Sequence, residues 1–272
     1  MHAYALADLT LARRLEETEG RANAAFADAR ARLAPEVGAS WREVAGTLAV
    51  FDGPASPLTQ TFGLGLHAPV TDAGLAELEA FFAERGAPVT HEVSPLADAA
   101  HLALLHARGY RPVEFTAVLH QPLGRADARG LRPWITGRLV GADEADAWAA
   151  TAARGWGESP EFAEFMLDFG AVTARSAGTH CFLAELDGVA VGTAAVALHG
   201  GVALLAGAST LPEWRGRGAQ AALLDARLLH AAAHGCDLAM LAALPGSASQ
   251  RNAERRGFRI AYTRLKWVRE RG

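Results

Sequence analysis

The sequence predicts an α/β (α+β) fold arranged as two tandem domains, each a sheet flanked by helices. Three observations carry this. Segments of helical and strand periodicity alternate along the whole chain. A stretch bearing prolines and glycines, Gln121 to Pro133, interrupts them near the middle as a linker. One junction also occurs twice, as Arg108-Gly109-Tyr110-Arg111 and as Arg256-Gly257-Phe258-Arg259, each time closing a helix and entering a strand.

The first half reads element by element. Residues 6–33 are rich in Ala, Leu, Arg and Glu and predict one or two helices. Trp41 to Asp52 thins to near alternation, a strand, and Gly53-Pro54-Ala55-Ser56-Pro57 is a turn. Thr61 to His67 reads as a buried strand. Thr71 to Arg85 is a helix capped by Thr71 or Asp72 and stopped by Gly86. Val89 to Val93 is a strand, Pro95 to Arg108 a helix, and Tyr110 to Leu119 a strand.

The second half begins with a short strand at Gly137–Val140 and a helix over Asp143–Ala153. A less regular part, Trp156 to Gly178, carries an apolar face of Phe162, Phe165, Met166 and Phe169. Two strands, Cys181–Leu186 and Val189–Leu198, meet at Asp187-Gly188, a strong hairpin signal. A strand at Val202–Thr210 precedes a helix from Gly218 to His234. Its face is read as Ala222, Leu223, Ala226, Leu229 and Ala233. Asp237–Leu244, Ser247–Arg256 and Phe258–Val268 follow as strand, helix and strand.

Spacing supports a duplication. Gly86 to Gly109 is 23 positions and Gly235 to Gly257 is 22, but Pro69 to Gly86 is 17 against 23 for Pro212 to Gly235. The second half thus has about six extra residues, where Glu213-Trp214-Arg215-Gly216-Arg217-Gly218 stands. Domains are expected at 1–124 and 132–272, only the second carrying this loop.

Bulk properties narrow the function. The 272 residues carry a formal net charge of −4, so no basic field argues for nucleic acid. Two cysteines, Cys181 and Cys236, are too few for a disulfide framework and sit in apolar surroundings as inert thiols. No apolar run reaches the length of a membrane span, and the N-terminus has no signal-peptide pattern. A cytoplasmic protein without membrane or nucleic-acid partners is expected, as monomer or homodimer.

The Arg-Gly-Arg-Gly loop suits a phosphate. Amides of a first helical turn lack partners, and the helix dipole adds partial positive charge there. Gly216 and Gly218 let the backbone approach an anion, and Arg215 and Arg217 add charge. The Gly-Lys-Ser/Thr ending of a nucleoside-triphosphate loop is absent. A dinucleotide site would need its glycines directly after the strand, yet Pro212-Glu213-Trp214 intervene. His230 and His234 have a zinc-compatible i, i+4 spacing, but no third ligand is evident and no metal is expected.

Leu211-Pro212-Glu213-Trp214-Arg215-Gly216-Arg217-Gly218, followed by Ala221-Ala222-Leu223-Leu224, resembles the fourth-strand end, pyrophosphate loop and third helix of the GCN5-related N-acetyltransferase (GNAT) superfamily. Ser249 to Phe258 resembles its fourth helix and Gly-Phe exit. The resemblance covers about residues 131–272, and the N-terminal half looks like a degenerate copy, as in tandem members. It implies mixed, mostly antiparallel sheets and acetyl-CoA as cosubstrate. It further implies transfer of an acetyl group to a small-molecule or protein amine. Main-chain groups of Ala208, Ser209 and Thr210 would hold the pantetheine and acetyl carbonyl. Arg215, Gly216, Arg217, Gly218, Ala219 and Gln220 would hold the pyrophosphate, with Ser249 reaching the pantetheine arm.

Two positions depart from the family pattern. Gln220 replaces the usual small residue, and Ala253 stands where many members have a tyrosine acid. Glu158, Glu161, Glu185, His180 and His199 are candidate bases, and Tyr262 is a substitute acid. The alternative reading is a noncatalytic acyl-CoA-binding regulatory module.

Overall fold

The structure is a computed structural model and describes residues 6–124, 134–156 and 160–269. Among these, contacts define two compact units, Pro122–Ala239 and residues 6–121 with 240–269.

The unit of residues 6–121 and 240–269 opens with one 25-residue helix, α1 (Leu9–Leu33), whose N-cap Asp8 accepts from the Leu11 amide. The segment expected as a single strand at Trp41–Asp52 is instead a hairpin of β1 (Ser40–Val44) and β2 (Thr47–Phe51). Ala45 (φ 50°) and Gly46 (φ 79°) make its two-residue turn, and the alternation had hidden that break. The strand expected at 61–67 is only β3 (Gln60–Phe62), because Gly63 and Gly65 take positive φ immediately after it. Then come α2 (Asp72–Ala83), β4 (Val89–Val93), α3 (Ala100–Ala107) and β5 (Arg111–Pro122). Gln121 and Pro122, expected in the linker, close β5; residues 125–133 of that linker lie outside the described residues.

The C-terminal segment adds β10 (Leu238–Ala243, from Met240 onward in this unit), α7 (Ala248–Arg255) and β11 (Arg259–Arg269). The strand order is β1-β2-β3-β4-β11-β5-β10. β11 runs antiparallel to both β4 and β5, and β3 pairs parallel with β4 through Thr61 and His91. One core joins Leu75, Leu78, Phe81 and Phe82 of α2 to Phe51, Val93, Tyr110 and Trp267.

A buried charge network fastens α1 to this sheet. Arg264 of β11 meets Glu16 at 3.2 Å, Glu19 at 2.6 Å and Glu92 of β4 at 3.0 Å. Lys266 meets Glu92 at 3.4 Å and Glu114 at 2.8 Å. Burial outweighs Arg264 at Glu16 and pushes its carboxyl up to about 7.

The unit Pro122–Ala239 is an antiparallel meander, β6 (Thr136–Leu139), β7 (Thr179–Leu186), β8 (Val189–His199) and β9 (Val202–Thr210), in the order β9-β8-β7-β6. Asp187 (φ 50°) and Gly188 (φ 79°) form the expected hairpin turn. The helices are α4 (Ala145–Trp156), α5 (Pro160–Thr173) and α6 (Ala219–Ala233). The stretch expected to be less regular is α5, where Phe165 packs between Phe162 and Phe169 at ring separations of 6.2 and 5.9 Å. A Cβ on Gly170 would stand 3.2 Å from Ala149, so the glycine that weakens the helical pattern also lets α5 lie close on α4.

The buried face of α6 comprises Ala219, Ala222, Leu223, Leu224, Arg227 and Ala231. It is rotated from the expected face: Ala226 and Leu229 are half-buried and Ala233 is exposed. The cause is Arg227, a charged residue in a core position that the apolar pattern skips.

Candidate acyl-CoA site

The strand-to-helix junction of the unit Pro122–Ala239 follows from its residues in order. Along β9 the ladder pairs Ala206 with Ala195, but the next pairs are Ser209 with Thr193 and Thr210 with Gly192. β9 therefore carries one extra residue, a bulge at Gly207 and Ala208, with Gly207 at φ 59°. The bulge leaves main-chain groups outside the ladder. Ala208 is half-buried, while Ser209 and Thr210 are buried. The Ser209 hydroxyl is engaged by the Thr193 hydroxyl at 2.8 Å, so only its main chain is available to a ligand.

Past Leu211, a single 3-10 turn, Pro212–Trp214, redirects the chain. Gly216 takes φ 76° with open space where a side chain would stand. Gly218 is the N-cap of α6 at φ 101°, and no side chain caps this first turn. The amides around Ala219 and Gln220 are therefore presented without a protein acceptor from the cap, which is an anion-binding arrangement.

The two arginines differ. Arg215 is exposed, yet donates to the carbonyls of Thr210 at 3.3 Å and of Gly155 at 3.1 Å, tying the loop to the end of α4. Arg217 lies 4.9 Å over the Trp214 ring, a cation–π contact that leaves its charge at the surface. Gln220 turns back and donates to the Thr210 hydroxyl at 2.8 Å.

The Acetyltransferase (GNAT) family model matches residues 143–258. This segment is a GNAT domain. It runs from the turn before α4 to the start of β11. Among curated proteins none matches the sequence. In fold the chain is similar to a GCN5-related N-acetyltransferase from Kribbella flavida, at TM-score 0.65 and 21% identity, covering 92% of this chain and 96% of that one. It is likewise similar to a tandem GNAT protein from the clavulanic acid biosynthesis pathway, at TM-score 0.63 and 16% identity, covering 98% and 97%. A GCN5-related N-acetyltransferase from Sphaerobacter thermophilus aligns at TM-score 0.56 and 20% identity, over 78% and 71%. At these identities the likeness concerns the fold.

The other expected GNAT-site residues are placed as follows. Ser249 is exposed in the first turn of α7, after the N-cap Ser247, and belongs to the other compact unit. Ala253 of α7 is 4% exposed and packed. Glu158 lies outside the described residues. Glu161 is exposed on α5. Glu185 is held by Arg138 at 2.9 Å, which also grips Glu144 at 2.6 Å. Tyr262 is buried and its hydroxyl donates to Glu16 at 2.9 Å. Burial and the Glu16 charge raise its pKa well above the ordinary phenol value, which opposes deprotonation but leaves a donor already engaged. Burial lifts the Cys181 thiol to about 12, matching an inert role.

His180 of β7 is the third histidine beside His230 and His234, with ring separations of 4.6, 5.6 and 4.0 Å. Among the described residues no group of three or more His, Cys, Asp or Glu is arranged to hold a metal ion. No helix among them is long and apolar enough to cross a membrane.

Three structural residues escaped the sequence reading. Gly207 makes the bulge. Gly155 lets α4 touch β9, since a Cβ there would overlap Ser209. Arg227 is the third; its only signal was a charge four positions after Leu223 on an otherwise apolar helix face.

Proposed function

We propose that this chain is an acetyl-CoA-dependent N-acetyltransferase. Its acyl donor lies along the β9 bulge, with the pyrophosphate at the N-terminus of α6. The observation that carries this is the uncapped first turn of α6, entered through Gly216 and Gly218 at positive φ, one 3-10 turn after a bulged strand. Main-chain groups of Ala208, Ser209 and Thr210 bind the pantetheine and polarise the acetyl carbonyl. Residues Arg215 to Gln220 receive the pyrophosphate. A neutral amine, from a small molecule or a protein, attacks the thioester carbon. The C–N bond forms, the C–S bond breaks, and the thiolate leaves as a base takes the ammonium proton. Glu158 and Tyr262 are the side chains to test as base and acid. No metal takes part in this scheme. The protein works in the cytoplasm as monomer or homodimer.

Residues 1–124 and 132–272 are, on this reading, two copies of one domain. From α1, the element order α1-β1-β2-β3-α2-β4-α3-β5 parallels α4/α5-β7-β8-β9-α6-β10-α7-β11, while β6 of the second half has no counterpart before α1 among the described residues. Only the second copy takes acetyl-CoA. The matching helix of the first, α2, is capped by the Thr71 hydroxyl and carries Asp72 in its first turn, which disfavours an anion.

Thermal unfolding with and without acetyl-CoA, followed by thiol release against a panel of amines, tests the proposal. Ligand at about 100 times its dissociation constant adds roughly 2.7 kcal/mol. No stabilisation by CoA or acetyl-CoA at millimolar concentration sinks the reading. Ala253, packed where many family members have a tyrosine, favours a second one, a noncatalytic acyl-CoA-binding module. Stabilisation without thiol release from any amine would select it.

A further inference from the structure

Among the described residues of the unit Pro122–Ala239, Arg227 is the most deeply placed cation. It is 4% exposed and sits at the centre of α6, nine positions beyond Gly218. Its Nε donates to the Leu223 carbonyl of its own helix at 3.1 Å. One Nη1 donates to two carbonyls of the sheet, Ala195 on β8 at 3.0 Å and Ala206 on β9 at 3.3 Å. Among the described residues no carboxylate forms an ion pair with it, and main-chain carbonyls accept its bonds.

The identity of those carbonyls decides what the arginine does. Ala195 and Ala206 are cross-strand partners, and theirs is the last pair before the ladder slips into the bulge. A register slip leaves polar main-chain groups without ladder partners, and a buried carbonyl must find another donor. A guanidinium spreads its donors in a plane and stays charged, so it serves two carbonyls from one side chain. Burial lowers its pKa only to about 10, and it remains a full cation at neutral pH. An uncompensated buried charge is costly, and a leucine at this position would fill the core more simply.

Resting on the acetyl-CoA reading above, we propose that Arg227 is a positioning residue for acyl transfer. It clamps the carbonyls at the edge of the bulge from beneath the sheet, and so fixes the direction in which the Gly207 and Ala208 main chain faces the acyl carbonyl. Its charge also lies below the point where the oxyanion develops, adding to the electrostatic stabilisation that main-chain donors provide. It touches neither substrate nor cosubstrate.

The test uses the full-length protein with Arg227→Lys and Arg227→Met. Both are read for kcat, KM for acetyl-CoA, CoA affinity and deuterium exchange of residues 205–210. A small displacement of a catalytic group costs about a hundredfold in rate. Arg227→Met is expected to lose about that factor in kcat while CoA affinity stays within about threefold. Arg227→Lys, which keeps the charge but not the planar fork, should recover part of the loss, and exchange at 205–210 should accelerate in both. Wild-type kcat in either folded variant overturns the proposal. So does a loss confined to melting temperature, or an equal loss of CoA affinity. If Arg227→Met fails to fold, Arg227→Lys decides alone, expected at about a tenfold loss in kcat. If the wild type binds no CoA, the acetyl-CoA reading itself has failed, and unchanged exchange in Arg227→Lys would separately refute the clamp.

Discussion

The Gln220 side chain donates to the Thr210 hydroxyl at 2.8 Å, closing the Arg215–Gly218 loop onto the end of the strand it leaves. A long side chain at this position would obstruct a phosphate if it pointed outward. Turned inward, it replaces bulk with a tether between β9 and the first turn of α6. Gln220→Ala should therefore leave the melting temperature within about 2 °C, since one partly exposed hydrogen bond contributes about 1 kcal/mol. It should loosen CoA binding by less than tenfold. A variant that binds CoA more tightly than wild type would show that Gln220 hinders the site.

Gly218 sits at φ 101° as the N-cap of α6. An alanine there is strained by about 1–2 kcal/mol and turns the first amides away from an anion. Gly218→Ala should lower stability by that order and weaken CoA at least tenfold, measured by calorimetry. Unaltered CoA affinity would place the pyrophosphate elsewhere.

Gly155→Ala pits helix propensity against packing. In an open helix the change would stabilise by up to about 1 kcal/mol. Here the new Cβ overlaps Ser209 Oγ and stands 2.8 Å from Ser209 Cβ. Overpacking of this kind costs about 1–3 kcal/mol, so net destabilisation is expected in chemical unfolding. Adding Ser209→Ala removes the hydroxyl from the overlap and should restore part of the loss. A stabilised single variant would contradict the close approach of α4 to β9.

Glu16 makes an unusual contribution to pH dependence. Its carboxyl is raised to about 7, first by burial, against the pull of Arg264. A folded pKa above the unfolded value near 4.5 means the protonated form is the stabilised one. That stabilisation is complete below about pH 4.5 and is lost as pH rises through about 7. Glu16→Gln, which stays neutral, should gain on wild type as pH rises. The melting-temperature difference, variant minus wild type, should increase by several degrees between pH 5 and pH 8. A difference independent of pH would show that Glu16 is ionised throughout.

How much could be read in advance varied with the range of the interaction. The loop Arg215–Gly218 was legible because glycines before an amphipathic helix state a local backbone geometry, and Asp187-Gly188 announced its hairpin for the same reason. The β1–β2 hairpin was missed because Ala45 takes a positive φ at the first turn position, where Asn, Asp or Gly is usual, and Gly46 alone is a weak signal. The face of α6 was misjudged because an arginine stands in the core.

The sequence by itself determined most of the order of helices and strands, the glycine-bearing turn that opens α6 and the family likeness of residues 143–258, all set within a few neighbouring residues. Tertiary structure alone decided three things. The β9 bulge exists because β8 offers one residue fewer across the ladder. Arg227 occupies the core because two carbonyls of that ladder accept its bonds. Glu16 and Arg264, 248 positions apart, meet because β11 lies between β4 and β5. Each depends on groups distant in sequence whose partnership exists only once the chain has folded.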